Sequence, residues 1–160
     1  MNKIRYLIVH HSETKDGVVK DWDAIRTYHT KVRGWRDIGY HFGIERVKGD
    51  VVLHAGRPVN VDGAHCKEGG MNTKSLGICV VGNFNAYPPD AEMLDCARLV
   101  VQDLMAEYAI PVENVLGHAE AQKAMGYEPT KTCPGVKFDM DAFRASLEDT
   151  DEPAETVEEA

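Results

Sequence analysis

Three positions in the sequence carry side chains that commonly bind metal ions, and each is predicted to lie where a strand ends. They are one histidine of the pair His10-His11, then His118, and then Cys133. Zinc binds imidazole nitrogen and thiolate sulfur tetrahedrally, and three protein ligands leave a fourth position for a reacting water. The residue types therefore indicate a metal site of the catalytic form, although their wide spacing is weak support by itself.

Simpler explanations exist for each of these side chains. His10 and His11 are neighbours on a predicted strand, so their side chains point to opposite faces and only one can reach a shared site. Alternation does not decide which one. His29, within a predicted helix, and His54, at the end of a predicted hairpin, are explained equally well as surface or half-buried residues. Cys133 could be an ordinary buried thiol, because a following proline indicates only extended backbone.

The elements that would position these residues can be predicted from hydrophobic patterning. Five strands are predicted from length and composition: residues 4–9, two short strands within the hairpin 41–56, residues 75–82 and residues 114–116. The first is a continuous apolar run, as in a central strand covered on both faces. Lys48, Gly49 and Asp50 have the composition of a hairpin turn. The stretch between His118 and Cys133 is predicted to be irregular.

Three helices are predicted from apolar residues that recur at helical spacing. The first is capped by Asp21, ends near Gly34 and carries Trp22, Ile25, Tyr28 and Val32 on its apolar stripe. The second follows Asp90 as its cap and carries Leu94, Ala97, Val101, Leu104 and Tyr108. The last carries Met140, Phe143 and Leu147. Strands and helices together predict an α/β (α+β) fold with a mixed central sheet flanked by helices.

Composition limits the classes of protein to consider. A chain of 160 residues with 43% hydrophobic residues suits one core, and we expect a monomer with a single domain over residues 1–147. Residues 148–160 hold seven carboxylates and no Lys or Arg, so −7 of the net charge of −8 falls there. This segment is predicted to be a disordered acidic tail. The rest of the chain is nearly neutral, so no nucleic-acid partner is expected.

The amino-terminal residues and the cysteines bear on location. The first apolar run is four to six residues long and has no small-residue cleavage site after it, so neither a signal peptide nor a membrane span is predicted. We therefore expect synthesis in the cytoplasm. The four cysteines lie far apart, and Cys79 and Cys96 fall within apolar patterns. Free thiols are expected rather than a disulfide framework.

Five segments in order carry a resemblance to a known family. They are IVHHSET, GWRDIGYHFGIERVKGDVVLHAGR, GAHCKEGGMNTKSLGICVVGNF, VLGHAEAQ and KTCPG. In this order they resemble the N-acetylmuramoyl-L-alanine amidases, a family that includes phage lysozymes of the zinc-amidase type and peptidoglycan-recognition proteins. The resemblance extends over about residues 4–145. It implies a mixed sheet flanked by helices, with a zinc ion on the floor of a groove.

The resemblance also implies roles for particular residues. Carried over motif by motif, the zinc ligands are His10, His118 and Cys133, which assigns His11 to the opposite face. Tyr40 and Lys131 match the positions of catalytic residues in the phage enzymes. Without the resemblance, Tyr40 would be explained as a packed aromatic and Lys131 as a solvated surface charge.

Four further residues fall where the family contacts its substrate, and they are Arg57, His65, Asn72 and Thr73. The chain departs from the compact phage pattern between His118 and Cys133, where its connection is longer. Because Lys131 lies near the end of this longer connection, its position relative to the candidate ligands is not fixed by the phage pattern.

The resemblance implies hydrolysis of the amide between N-acetylmuramic acid and L-alanine in peptidoglycan. The expected biological role is that of a phage or prophage lysin, and the expected partners are peptidoglycan or muropeptides. Two alternatives are a non-catalytic peptidoglycan-recognition module and a cytosolic amidase that recycles anhydro-muropeptides. Loss of zinc ligands is the usual mark of the recognition module. This chain keeps all three, which favours the enzyme.

Overall fold

The computed structural model describes residues 4–14 and 21–148. The predicted cap by the side chain of Asp21, and the predicted tail after Glu148, lie outside the described residues. The strands are β1 (Tyr6–His11), β2 (Phe42–Val47), β3 (Asp50–Ala55), β4 (Ser75–Val80) and β5 (Val115–Gly117). They form one five-stranded sheet in the order β3-β2-β4-β1-β5. This mixed sheet with its helices confirms the predicted fold class.

The sheet is parallel except at one edge. Strand β1 pairs in parallel with β4 and with β5, and β2 pairs in parallel with β4, while β3 runs antiparallel to β2. The β2–β3 hairpin turns at Lys48 and Gly49, whose φ angles of 52° and 88° suit the two central positions of a type I′ turn. Because β1 is covered on both faces, its residues from Leu7 to His11 are all buried.

The helices are α1 (Asp21–Thr27), α2 (Met71–Lys74), α3 (Ala91–Tyr108), α4 (His118–Ala124) and α5 (Met140–Leu147). Helices α3 and α5 cover one face of the sheet and form the main core with Leu7, Val9 and Ile78. The other face carries two smaller apolar clusters, which include Ile8 and Cys79. Since side chains alternate along β1, His10 shares the face of Ile8, and His11 shares the face of the main core.

Helix α3 confirms its sequence prediction closely. The side chain of Asp90 accepts a hydrogen bond from the Met93 amide (2.9 Å) and caps the first turn. Of the predicted stripe, Ala97, Val101 and Leu104 are buried, and Leu94 and Tyr108 pack at its margin. No helix within residues 4–14 and 21–148 combines the length and apolar character needed to cross a membrane.

The first helix departs from its prediction in its second half. Helix α1 gives way to a π-helical segment, Tyr28–Val32, in which the Arg33 amide donates to the Tyr28 carbonyl. Bonds to the fifth residue change the angular position of the side chains that follow. Tyr28 and Val32 are therefore 49% and 68% exposed, and the prediction that they lie on the buried stripe was wrong.

Helix α4 replaces part of a stretch that was predicted to be irregular. The Gly117 amide donates to the Glu120 carboxylate (2.9 Å), which closes the first turn of the helix. Arg144 of α5 holds that carboxylate through two further hydrogen bonds (2.7 and 2.9 Å). Strand β5 ends at Gly117, one residue later than predicted, so His118 is the first residue of α4.

Candidate metal centre

Three chain segments bring the candidate ligands together at one end of the sheet. His10 lies near the end of β1, His118 follows the end of the parallel neighbour β5, and Cys133 lies in the loop before α5. One potential ligand atom from each lies within 4.8 Å of the others. The rings of His10 and His118 have centroids 4.6 Å apart. The parallel pairing of β1 and β5 thus accounts for the meeting of the two histidines.

The donor set fits a tetrahedral metal ion. The Sγ atom of Cys133 lies 3.6 Å from Nδ1 of His10. Typical Zn–N and Zn–S bonds at a tetrahedral angle would place those two atoms about 3.6 Å apart. Two imidazoles and one thiolate are also ligands that zinc prefers. These three side chains could therefore hold a metal ion and leave a fourth position open.

His11 faces away from this cluster. Its Nδ1 atom accepts a hydrogen bond from the Phe84 amide (3.0 Å), and its ring stacks on that of Phe84. The main chain of His11 still contributes, because its amide donates to the Cys133 sulfur (3.4 Å). The geometry therefore groups His10, and not His11, with His118 and Cys133.

The electrostatics of the cluster suit a bound cation. Burial lowers the pKa of His10 well below its usual value, with smaller contributions from the neighbouring His65 and His118. The pKa of His118 is also lowered, chiefly by burial. Both imidazoles are therefore neutral, which is the form that binds metals. Burial raises the pKa of Cys133 to about 12, so a nearby cation is required to stabilise its thiolate.

Tyr40 lies beside this cluster. Its ring centroid is 5.1 Å from that of His10. Burial raises the pKa of Tyr40 well above its usual value, and nearby Cys79 and Cys133 raise it further. The hydroxyl therefore keeps its proton, and its hydrogen bond with the Cys79 side chain also favours the protonated form.

Lys131 is exposed, two residues before Cys133. Burial raises the pKa of Cys133 and lowers that of His118; the positive charge of Lys131 is a smaller effect that opposes the first change and adds to the second. The part that Lys131 plays at the candidate centre remains a prediction.

The four predicted substrate contacts are all engaged within the protein. Arg57 donates to the carbonyls of Ile38 (2.9 Å), Asp62 (2.8 Å) and Asp37 (3.3 Å). Thr73 donates to the Asp62 carboxylate (2.9 Å). Arg57 thus holds two loops together, and its role in substrate binding remains a prediction.

Asn72 and His65 form a second linked pair. The Asn72 side-chain oxygen accepts hydrogen bonds from the amides of His65 (2.7 Å) and Cys66 (2.8 Å). The His65 ring in turn contacts His10. Asn72 and Thr73 also line a cleft of about 530 Å³ whose lining residues do not include the three candidate ligands. Contact of Asn72 and Thr73 with substrate likewise remains a prediction.

One neighbouring group was not predicted from the sequence. Ligand atoms of Cys66, Glu68 and His118 also lie within 4.8 Å of one another. Glu68 belongs to a 3-10 turn (Glu68–Gly70), and its charge raises the pKa of His118 against the larger effect of burial. Nothing in the spacing of the GAHCKEGG segment indicates that this carboxylate would approach His118. Only the tertiary fold brings them together.

A mixed sheet that delivers two histidines and a cysteine to one end defines this chain as an amidase-like domain. Residues 1–136 match the N-acetylmuramoyl-L-alanine amidase family, and the chain belongs to that family.

Individual relatives fall into two groups. The endolysin of Enterobacteria phage K11 is 42% identical over 137 residues, which cover 82% of this chain and 80% of the endolysin. Peptidoglycan-recognition protein LB of Drosophila melanogaster is 35% identical over 141 residues, which cover 83% of this chain and 55% of that protein. The chain thus spans little more than half the length of this second relative.

Solved structures agree with this assignment. The N-acetylmuramoyl-L-alanine amidase LysC from Clostridium intestinale has a TM-score of 0.71 and 28% identity to this chain. The match covers 91% of this chain and 86% of LysC.

Proposed function

We propose that this chain is a zinc-dependent amidase that hydrolyses the bond between N-acetylmuramic acid and L-alanine in peptidoglycan. The observation that carries the proposal is the convergence of His10, His118 and Cys133, with 3.6 Å between Cys133 Sγ and His10 Nδ1. That arrangement has the donors and the spacing of a three-ligand zinc site. Membership of the amidase family supplies the class of bond.

The protein's own residues suit the steps of amide hydrolysis. A zinc ion held by the three ligands supplies an activated water and a Lewis acid. The Tyr40 hydroxyl would stabilise the oxyanion that develops on the amide carbonyl by hydrogen bonding, and the Lys131 ammonium would do so by its charge. The leaving amine of L-alanine needs a proton, and Tyr40 holds one beside the centre.

The second candidate is a module that recognises peptidoglycan without cutting it. The similarity to a peptidoglycan-recognition protein favours this candidate. Catalysis is favoured instead by the retained ligand triad. It is also favoured by the match to a phage endolysin, which covers four fifths of that protein's length. We therefore propose the lysin as the biological role, with recycling of soluble anhydro-muropeptides as the alternative enzyme role.

Mass spectrometry of peptidoglycan products tests the proposal. The zinc-loaded protein is incubated with purified sacculi and, separately, with anhydro-muropeptides, beside Cys133→Ser as the inactive control. New L-alanine amino termini in the wild-type reaction establish amidase activity, and the faster substrate separates lysis from recycling. Binding of muropeptides without new termini would show a recognition module.

A further inference from the structure

The buried His10 and the half-buried His65 contact each other edge to face on the side of the sheet opposite the main core. The Nε2 atom of His10 lies 2.8 Å from Nδ1 of His65, and the two rings are nearly perpendicular. The other nitrogen of His10, Nδ1, faces Cys133. His65 therefore contacts the side of the His10 ring that faces away from the candidate metal centre.

The hydrogen-bond chain behind His65 fixes the direction of this contact. The Ser75 hydroxyl donates to the Met71 carbonyl (2.6 Å), so its oxygen is left to accept from Nε2 of His65 (3.4 Å). A neutral His65 with its proton on Nε2 has a bare Nδ1, which accepts the proton of His10 Nε2. That leaves the lone pair of His10 Nδ1 directed at Cys133. The opposite arrangement would place a proton where a metal ion must bind.

The position of the His65 ring is built into the fold. A Cβ atom added at Gly77 of β4 would lie 2.7 Å from this ring, and one added at Gly63 would lie 2.5 Å from it. Asn72 holds the main chain of His65 and Cys66 through its side-chain oxygen. Two glycines thus leave space for the ring, and one amide side chain fixes the backbone that carries it.

We propose that His65 is a positioning residue, which holds His10 in the tautomer and orientation that present Nδ1 to the metal. This inference rests on the proposed zinc-dependent function. It replaces the substrate contact predicted for His65, because both of its ring nitrogens already face protein partners. Hydrogen-bond acceptors on the second ring nitrogen, commonly carboxylates, carbonyls or water, orient metal-binding histidines, and their loss costs roughly 10- to 100-fold in metal affinity.

The test compares zinc affinity and the His10 tautomer in matched variants. His65→Ala removes the acceptor, His65→Asn keeps an oxygen near the place of Nδ1, and His54→Ala removes a histidine that bonds Glu45 in the same sheet. Zinc affinity is measured by competition with a chromophoric chelator. We expect His65→Ala to weaken it about 10- to 100-fold, His65→Asn to restore much of the loss, and His54→Ala to leave it unchanged.

The tautomer is measured on the metal-free protein by long-range nitrogen–proton NMR of the imidazoles. Wild type should show His10 protonated at Nε2, and His65→Ala should lose that preference. Unchanged zinc affinity and tautomer in His65→Ala would overturn the inference, as would a higher KM for muropeptide with unchanged zinc affinity. If His65→Ala does not fold, Ser75→Ala decides by the same two measurements, because it removes the partner of His65 Nε2; wild-type zinc affinity and tautomer in Ser75→Ala would then overturn the inference. A wild type that binds no zinc would refute the proposed function, while the metal-free spectrum would still test the His10–His65 bond.

Discussion

The Sγ atom of Cys133 lies 3.6 Å from Nδ1 of His10, although the two residues are 123 positions apart in the chain. The amide of His11 donates to the same sulfur, so the end of β1 holds Cys133 through both a side chain and the main chain. A loop residue is thereby fixed to an interior strand of the sheet. The first prediction follows from the different parts that the two neighbouring histidines play.

Alanine substitution should separate the two histidines by metal content. His10→Ala should abolish zinc binding, while His11→Ala should keep it, because the His11 side chain bonds to Phe84 on the opposite face. His11→Ala should instead lower the free energy of unfolding by about 1–3 kcal/mol, since the buried Phe84 amide loses its acceptor. Elemental analysis and urea unfolding measure the two effects. Equal zinc loss in both variants would contradict the assignment of ligands.

Removal of the Tyr40 hydroxyl should slow hydrolysis without removing the metal. Tyr40→Phe keeps the ring beside His10 but deletes the proton donor, so we expect kcat to fall by roughly 10²-fold or more. Tyr6→Phe, at the other end of β1, is the matched control and should keep its rate. Zinc content and turnover are measured on the same samples. A Tyr40→Phe enzyme with wild-type turnover would remove Tyr40 from the mechanism.

Lys131→Ala tests charge stabilisation in the transition state. A cation that acts only as the oxyanion develops contributes to kcat and to kcat/KM alike, so both should fall together. Lys123→Ala, which removes another exposed lysine from α4, is the control and should leave both unchanged. Steady-state kinetics on a soluble muropeptide gives the comparison. A rise in KM alone would show that Lys131 binds substrate and transition state equally.

His29 should make the protein less stable in mild acid. Burial, with Arg33 and Arg57, lowers the pKa of His29 from 6.5 to about 4. Its Nδ1 atom accepts from the Gly39 amide, so protonation there would break a hydrogen bond. Below pH 6.5 His29 becomes protonated in the unfolded chain, whereas in the folded chain it stays neutral down to about pH 4. The free energy of unfolding therefore falls as the pH is lowered from 6.5 to about 4.

His29→Gln removes that titration and serves as the comparison. Urea unfolding at pH 7 and pH 5 should show a smaller loss of stability in the variant than in wild type. The other histidines titrate in both proteins and cancel in this difference. Equal losses would show that His29 titrates normally in the folded protein.

The acidic segment after Glu148 should be dispensable. It has no apolar periodicity and carries like charges, so we expect truncation after Glu148 to leave the melting temperature and the rate on a soluble muropeptide unchanged. Calorimetry and product analysis measure these quantities. A large fall in melting temperature would show that the segment packs against the domain.

Most of the sheet could be predicted from the sequence because its strands are short apolar runs with clear boundaries. The cap at Asp90 and the buried face of α3 followed from local rules in the same way. The π-helical segment at Tyr28–Val32 did not, since the order of apolar residues in the sequence does not show where the helix changes to hydrogen bonds between residues five apart. Helix α4 was missed because its first turn depends on Glu120, which Arg144 holds from a distant helix.

The three candidate ligands could be nominated from the sequence, but the residues that contact them could not. Motif order was enough to nominate His10, His118 and Cys133. The bond between His10 and His65 joins residues 55 positions apart, and it depends on the register that sets His10 opposite Cys79 in β4. Sequence patterns indicate which face a residue occupies, but they do not specify which side chain lies beside it across that face.

The distance along the chain between β1 and Cys133 has a consequence for synthesis on the ribosome. A growing polypeptide that ends before residue 133 holds at most two of the three candidate ligands, even when all five strands have already been made. Tight zinc binding must therefore await nearly the whole domain. Under the proposed function, the complete ligand set exists only after Cys133 has been synthesised, and a product truncated before that residue would lack one of the three ligands.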